Sequence, residues 1–132
     1  MSWAFEAGKR LIIVRAEVSG PEGSAILSMA LDTGATHTFI RSERIVRLGY
    51  DLSSSPNKTE VTTGSGVEYV PVITVSQFSA LGQQHLDFSV TAMDLPENAT
   101  IDGVIGLDFL RNSVLTLDFR KGQISFQTQP TD

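Results

Sequence analysis

The chain has 132 residues, of which 41% are hydrophobic, and a formal net charge of −5 at pH 7. This length favours one domain with a real hydrophobic core and leaves no room for two full lobes. The negative charge argues against a nucleic-acid partner, because phosphate binding depends on clustered lysine and arginine, and the absence of cysteine excludes disulfides and thiolate chemistry.

No targeting or membrane-spanning segment is predicted. The chain has no apolar run of about 18 residues, and Met1–Glu6 lack the basic-then-apolar order of a signal peptide. We therefore expect a soluble, cytoplasmic protein with no membrane partner, in which residues 1–132 form a single domain. Residues 1–8 show no clear period, but Trp3 and Phe5 are large and apolar, so we expect an N-terminal arm there.

The first predicted elements form a β-hairpin. Residues 11–18 are apolar and β-branched, residues 19–23 supply turn residues, and an alternating strand follows over residues 25–31. By the period of two, one face of that strand is apolar and consists of Ala25, Leu27, Met29 and Leu31. The strand therefore brings Asp32 to the end of a buried element.

Asp32 is the residue around which we expect a site. Burying a charge without partners is costly, so a carboxylate there must be hydrogen-bonded, paired or partly protonated. The hydroxyl of Thr33 can donate or accept, and Gly34 lets backbone amides approach the carboxylate. The same tripeptide is also compatible with an ordinary turn that makes local hydrogen bonds.

A helix and a second hairpin are predicted next. Residues 36–40 are β-rich, and a helix follows with Ser42 as its N-cap and its end at Gly49. Two β-prone runs, 59–63 and 67–75, are joined by a glycine-rich segment, which predicts a hairpin with a mobile tip.

Two further strand pairs complete the predicted domain. The first spans residues 72–78 and 85–92, and the second spans residues 114–119 and 123–126 with a turn at Lys121–Gly122. Many short strands with one or two short helices favour a mostly β, closed barrel-like antiparallel domain.

Two motifs resemble those of a known enzyme family. The segment Leu31–Ala35, Leu-Asp-Thr-Gly-Ala, resembles the active-site signature of aspartic peptidases. The segment Ile101–Leu110 resembles the apolar-apolar-Gly segment that packs under the catalytic loop in retroviral-type (retropepsin-like) members and opens a short helix. Gly106–Leu110 is more similar to the cellular and bacterial single-domain forms. The resemblance covers nearly the whole chain and implies the acid-protease half-domain fold.

The chain has one Asp-Thr-Gly and no Asp-Ser-Gly, so it supplies half of an aspartic peptidase site. The resemblance therefore implies an aspartic endopeptidase that is a two-fold homodimer and whose two Asp32 residues activate water. Its substrate would be an extended peptide or protein. Two carboxylates about 3 Å apart repel by roughly 5 kcal/mol at an effective dielectric constant of about 20, so they share one proton and act as base and acid. No metal and no other cofactor is implied.

The resemblance also assigns supporting roles. The Thr33 hydroxyl would bond across the dimer axis, Gly34 and Ala35 would lie beside the substrate backbone, and the terminal strands would make the dimer sheet. The flap tip that covers the peptide would be Gly64, Ser65 and Gly66. The segment that supports the loop from below would be Val104, Ile105 and Gly106.

The chain departs from the viral pattern beside both motifs. Viral relatives have an acidic residue shortly after Gly-Ala and Arg-Asn after the second glycine, whereas this chain has Thr36–His37 and Leu107–Asp108. The charge pairing that braces the viral loop is thus missing or rebuilt, and for Asp102 and Asp108 we expect turn or helix-capping roles. His37 and His85 lack metal-ligand spacing and are expected to be structural or surface residues.

Two other functions are compatible with the sequence. The same fold makes a catalytically silent, dimeric peptide-binding or assembly module if the two acids lie too far apart, because activity depends on inter-chain geometry at about 1 Å. Residues 31–36 also resemble the Asp-Xaa-Gly-Xaa-Thr phosphate loop of the actin and sugar-kinase superfamily. Those proteins need two α/β lobes, which a small β-rich chain does not supply.

Overall fold

The structure is a computed structural model that describes residues 1–54 and 57–128. In this part of the chain the strands are β1 (Ser2–Ala4), β2 (Ile13–Gly20), β3 (Gly23–Leu31), β4 (Phe39–Arg41), β5 (Lys58–Thr63), β6 (Gly66–Ala80), β7 (Gln83–Met93), β8 (Gly103–Ile105), β9 (Ser113–Asp118) and β10 (Gln123–Thr128). The helices are α1 (Ser42–Arg47) and α2 (Leu107–Leu110), with a 3-10 turn over Leu52–Ser54. No helix in the described ranges is long and apolar enough to cross a membrane.

Six strands close into a barrel. Their order is β2-β3-β8-β4-β7-β6, and the antiparallel pairing of β2 with β6 closes the ring. Strand β5 pairs with β6 outside this ring. Two pairings, β3 with β8 and β4 with β7, are parallel, whereas the others are antiparallel. The prediction of a mostly β, closed barrel is confirmed, and the two parallel pairings refine it.

The apolar face predicted for β3 packs into the barrel. Leu27 and Met29 are fully buried, and Ala25 and Leu31 are partly buried against the same core. Burying a side chain of this size contributes about 1.5 to 3 kcal/mol relative to leaving it exposed. The burial of this face sets the direction in which the chain leaves the barrel after Leu31.

Helix α1 begins differently from the prediction. Arg41, not Ser42, is the N-cap residue, and no side chain caps the helix. The reason is that Arg41 is still the extended last residue of β4, with φ −52° and ψ 128°. Its guanidinium donates instead to the carbonyl oxygens of the 96–101 segment at 2.9 to 3.3 Å. The end is as predicted, because Leu48 is the C-cap and Gly49 follows with φ +100°.

The predicted runs 67–75 and 72–78 form one strand. Strand β6 is 15 residues long and continuous. It pairs with β5 near its start and with β2 near its end, while β7 runs along most of its length. The sequence suggested separate strands because Pro71, a residue typical of strand edges and turns, lies where the partner of β6 changes from β5 to β7.

The first residues dock onto the C-terminal hairpin. Strand β1 pairs with β10, and β10 pairs with β9, to form a three-stranded sheet within one chain. Phe5 is buried, its amide donates to the carbonyl of Gly122 at 2.8 Å, and its ring meets Phe119 edge to face. Trp3 packs over Gly82. A dimer sheet made by these strands remains a prediction.

Candidate active site

Asp32 lies in the turn that directly follows β3. Its amide donates to the carbonyl of Ile105 at 3.0 Å, and the amide of Gly34 donates to its Oδ1 at 2.8 Å. The carboxylate is therefore hydrogen-bonded, as expected. It is nevertheless exposed in the single chain, whereas the sequence suggested the end of a buried element, because the turn carries the chain out of the barrel after Leu31.

Thr33 and Ala35 flank this carboxylate in different ways. Thr33 is exposed, and its hydroxyl makes no hydrogen bond within residues 1–54 and 57–128. The amide of Ala35 donates to the carbonyl of Asp32 at 3.2 Å, which closes the turn. The turn at Asp32 is thus held by hydrogen bonds, whereas the Thr33 hydroxyl lies at the surface without a partner among the described residues.

The segment from Val104 to Gly106 lies directly behind the loop. Leu31 pairs with Ile105 in the parallel β3–β8 ladder. A Cβ atom on Gly106 would lie 2.7 Å from the carbonyl oxygen of Ala35 and 2.8 Å from backbone atoms of His37. Only glycine permits this approach of two backbones. The structure therefore brings together the two motifs that the sequence singled out.

Asp108 joins the loop to helix α2. Thr38 donates to its carboxylate from the backbone amide at 2.9 and 3.0 Å and from Oγ1 at 2.6 Å. The amide of Gly106 donates in turn to Thr38 Oγ1 at 3.1 Å. Thr38 is fully buried, so its polar groups need these partners, and a charged acceptor strengthens such bonds.

In this chain the loop is held by hydrogen bonds from Thr38 to a carboxylate, and not by the charge pairing of the viral pattern. The expected capping or turn role for Asp108 was wrong, because its carboxylate binds Thr38, 70 positions earlier. The available signal was an acid placed two residues after the motif glycine. Asp102 has a comparable structural role, because it accepts from Ser28 N at 2.9 Å and from Arg44 Nε at 3.1 Å.

A cleft of about 600 Å³ opens beside Asp32. One wall is formed by the loop residues 34–37 and another by residues 60–62 of β5. The remaining lining comes from Phe39, Thr91 and Met93. Sequence reasoning missed both the β5 wall and these three residues, since no local pattern reports that segments so far apart in the chain meet.

The proposed flap tip forms as a hairpin but does not line this cleft. Gly64 and Ser65 make a two-residue turn, and Thr63 pairs with Gly66, which has φ +127°. In one chain it is the strand before the tip, not the tip itself, that lies beside Asp32. The role of the tip over a substrate remains a prediction.

The two histidines lie in different surroundings. His37 is exposed and lines the cleft. His85 packs against the rings of Phe88 and Phe109, with centroid distances of 5.3 and 4.9 Å. Its contacts are those of a structural residue.

Comparisons with known proteins agree with this geometry. A family model described as aspartyl protease matches residues 14–109. The crystal structure of a retropepsin-like aspartic protease from Rickettsia conorii superposes with a TM-score of 0.71 and 19% sequence identity, covering 97% of this chain and 89% of that one. At this identity the likeness shows the fold, which is retropepsin-like. A search of curated proteins found no match.

Proposed function

Because the chain belongs to the aspartyl protease family, we propose that it is an aspartic endopeptidase whose catalytic dyad consists of Asp32 from each subunit of a homodimer. The observation that carries the proposal is the geometry of Asp32. A single motif carboxylate is exposed beside an open cleft, on a loop that is held from behind by strand β8 and helix α2.

The dimer follows from the chemistry of amide hydrolysis. The reaction needs a base that activates water and an acid that protonates the carbonyl oxygen and then the leaving nitrogen. One exposed carboxylate supplies only one of these groups at a time, and each chain has one such motif. Two Asp32 carboxylates that meet across a two-fold axis hold one proton between them because of their mutual repulsion.

The proposed reaction proceeds in two proton-transfer steps. The ionised Asp32 takes a proton from water as the water oxygen bonds to the carbonyl carbon, while the protonated Asp32 of the other subunit gives its proton to the carbonyl oxygen. In the second step the now ionised Asp32 takes a proton from one hydroxyl of the tetrahedral diol as the carbonyl group reforms. The C–N bond breaks, and the protonated Asp32 gives its proton to the leaving nitrogen. Positioned acid–base catalysis of this kind contributes about 10²- to 10⁴-fold.

Neighbouring residues support these steps. In this proposal the free hydroxyl of Thr33 bonds to the partner loop, and Gly34 and Ala35 lie along an extended peptide. The β5–β6 hairpin closes over that peptide with its tip, Gly64–Gly66. Main-chain hydrogen bonds are the usual source of affinity for extended peptides.

The test compares the wild type with Asp32→Asn on a mixed peptide library, with cuts identified by mass spectrometry between about pH 4 and about pH 7. Several enzyme concentrations are used, since mass action makes the activity of a dissociating dimer rise with concentration. Asp32→Asn should abolish every cut and leave folding and dimerisation intact.

The matched control is Asp87→Asn. Asp87 is exposed and does not line the cleft, and its φ of +51° is one that asparagine adopts as readily. This variant should cleave like the wild type. Cuts that persist in Asp32→Asn would remove Asp32 from the mechanism, and a folded wild-type dimer that cuts nothing would favour a peptide-binding module.

A further inference from the structure

The cleft beside Asp32 contains a charged residue that the proposed reaction does not use. Glu60 lies in the wall that β5 contributes to this cleft. With histidine taken as neutral at pH 7, Asp32 and Glu60 are the charged residues of the lining, and no lysine or arginine is among the described residues that form it. The cleft is therefore negative.

The carboxylate of Glu60 accepts one hydrogen bond at the surface. Tyr69 lies directly opposite it in the β5–β6 ladder, and the Tyr69 hydroxyl donates to Glu60 Oε1 at 2.9 Å. The ion pairs of the described residues join Lys9 to Glu6, Arg44 to Asp102 and Arg47 to Glu43. Within residues 1–54 and 57–128, Glu60 thus has a neutral hydrogen-bond donor but no positive partner.

The rest of the lining suits a long amphipathic side chain. Ala35, Phe39, Val61 and Met93 supply apolar surface in the same cleft. Lysine and arginine bury an aliphatic stem along such surface and keep the charged group at its edge. A glutamate in the same position would meet two like charges, which is the usual way in which a site rejects a competitor.

We propose that Glu60 is a specificity-determining residue that selects a lysine or arginine side chain of the peptide next to the scissile bond. This inference rests on the proposed peptidase function and adds a substrate class to it. An exposed ion pair is worth little, so the expected preference is modest. About fivefold in kcat/KM over an uncharged side chain of similar length corresponds to about 1 kcal/mol.

The experiment uses matched peptides that differ at one position near the cut, with lysine, norleucine or glutamate, and measures kcat/KM near pH 7. The wild type should favour lysine over norleucine about fivefold and should disfavour glutamate. Glu60→Gln should bring the lysine-to-norleucine ratio close to one, and Glu60→Lys should favour glutamate. Tyr69→Phe, which frees the carboxylate, should lower the ratio by a smaller factor.

Glu68→Gln is the matched control. Glu68 is exposed on the same hairpin but lies opposite Val61, and it does not line the cleft. Removing the same charge there should leave the ratio unchanged. A ratio that survives Glu60→Gln, or that falls equally in Glu68→Gln, overturns the inference while the peptidase function stands. If the wild type cuts no peptide, the proposed function fails and this inference falls with it.

Discussion

The Asp32 loop and the β5–β6 hairpin both line one cleft and are held to different degrees. The loop is tied to β8 and α2 by backbone contacts, and its Thr38 is buried with every polar group bonded. The hairpin has exposed side chains at Val67 and Tyr69 and open space around Gly64. Segments with few buried contacts open at low free-energy cost, so we expect the hairpin to open more easily than the loop.

Gly106→Ala should have the largest effect on stability, because it disturbs the tightly packed side of the cleft. The added Cβ would meet backbone atoms of Ala35 and His37 at 2.7 to 2.8 Å, and backbone cannot move aside as the end of a side chain can. Overpacking typically costs about 1 to 3 kcal/mol, so urea unfolding should show a loss of about 3 kcal/mol together with a loss of peptidase activity.

Gly64→Ala is the matched control on the hairpin side. Nothing lies within 4 Å of a Cβ at Gly64, so its unfolding free energy should change by less than about 0.5 kcal/mol. Equal destabilisation in both variants would contradict the difference between the two regions.

Asp108→Ala should have the next largest effect. It leaves the Thr38 amide and hydroxyl without their acceptor, and an unsatisfied buried donor costs about 1 to 3 kcal/mol. We expect a loss of about 2 kcal/mol in urea unfolding and a fall in kcat that exceeds any change in KM, because a loosened loop misplaces Asp32.

Asp108→Asn distinguishes a role of Asp108 in positioning Asp32 from a role in the stability of the whole fold. Asparagine keeps one carbonyl oxygen as an acceptor for Thr38 but loses the charge. It should recover most of the stability and part of kcat. If kcat in both variants follows the fraction of folded protein alone, then Asp108 has only a structural role.

Thr33→Ala should have the smallest effect on the fold and a selective one on assembly. The Thr33 hydroxyl has no hydrogen bond within the described residues, so unfolding of the single chain should barely change. The two-fold axis makes the variant lose two cross-axis hydrogen bonds of about 1 kcal/mol each. The dimer dissociation constant, measured by sedimentation, should therefore rise about 30-fold.

Thr100→Ala serves as the control for that measurement. Thr100 is exposed and makes no hydrogen bond within the described ranges. Its variant should dimerise like the wild type. Unchanged subunit exchange in Thr33→Ala would argue against the proposed cross-axis bond.

Much of the local structure was predictable because it depends on neighbours in the chain. Alternation along residues 25–31 predicted the buried face of β3, and the glycine with φ +100° at Gly49 ended α1 where expected. The prediction failed at Ser42, where the strand runs into the helix without a turn. A cap is a local signal, but the extended state of Arg41 is imposed by its pairing with Met93 of β7 and by the hydrogen bond from its amide to the carbonyl of Asp102.

The sequence alone determined the elements and the motif acid, because strand period, turn glycines and the Asp-Thr-Gly tripeptide are readable within a few residues. Only the tertiary structure decided which distant segments meet. It joined Thr38 to Asp108, placed Glu60 in the same cleft as Asp32, and left the carboxylate of Asp32 exposed in the single chain. These contacts depend on how the barrel closes, and barrel closure is a property of the whole ring of strands.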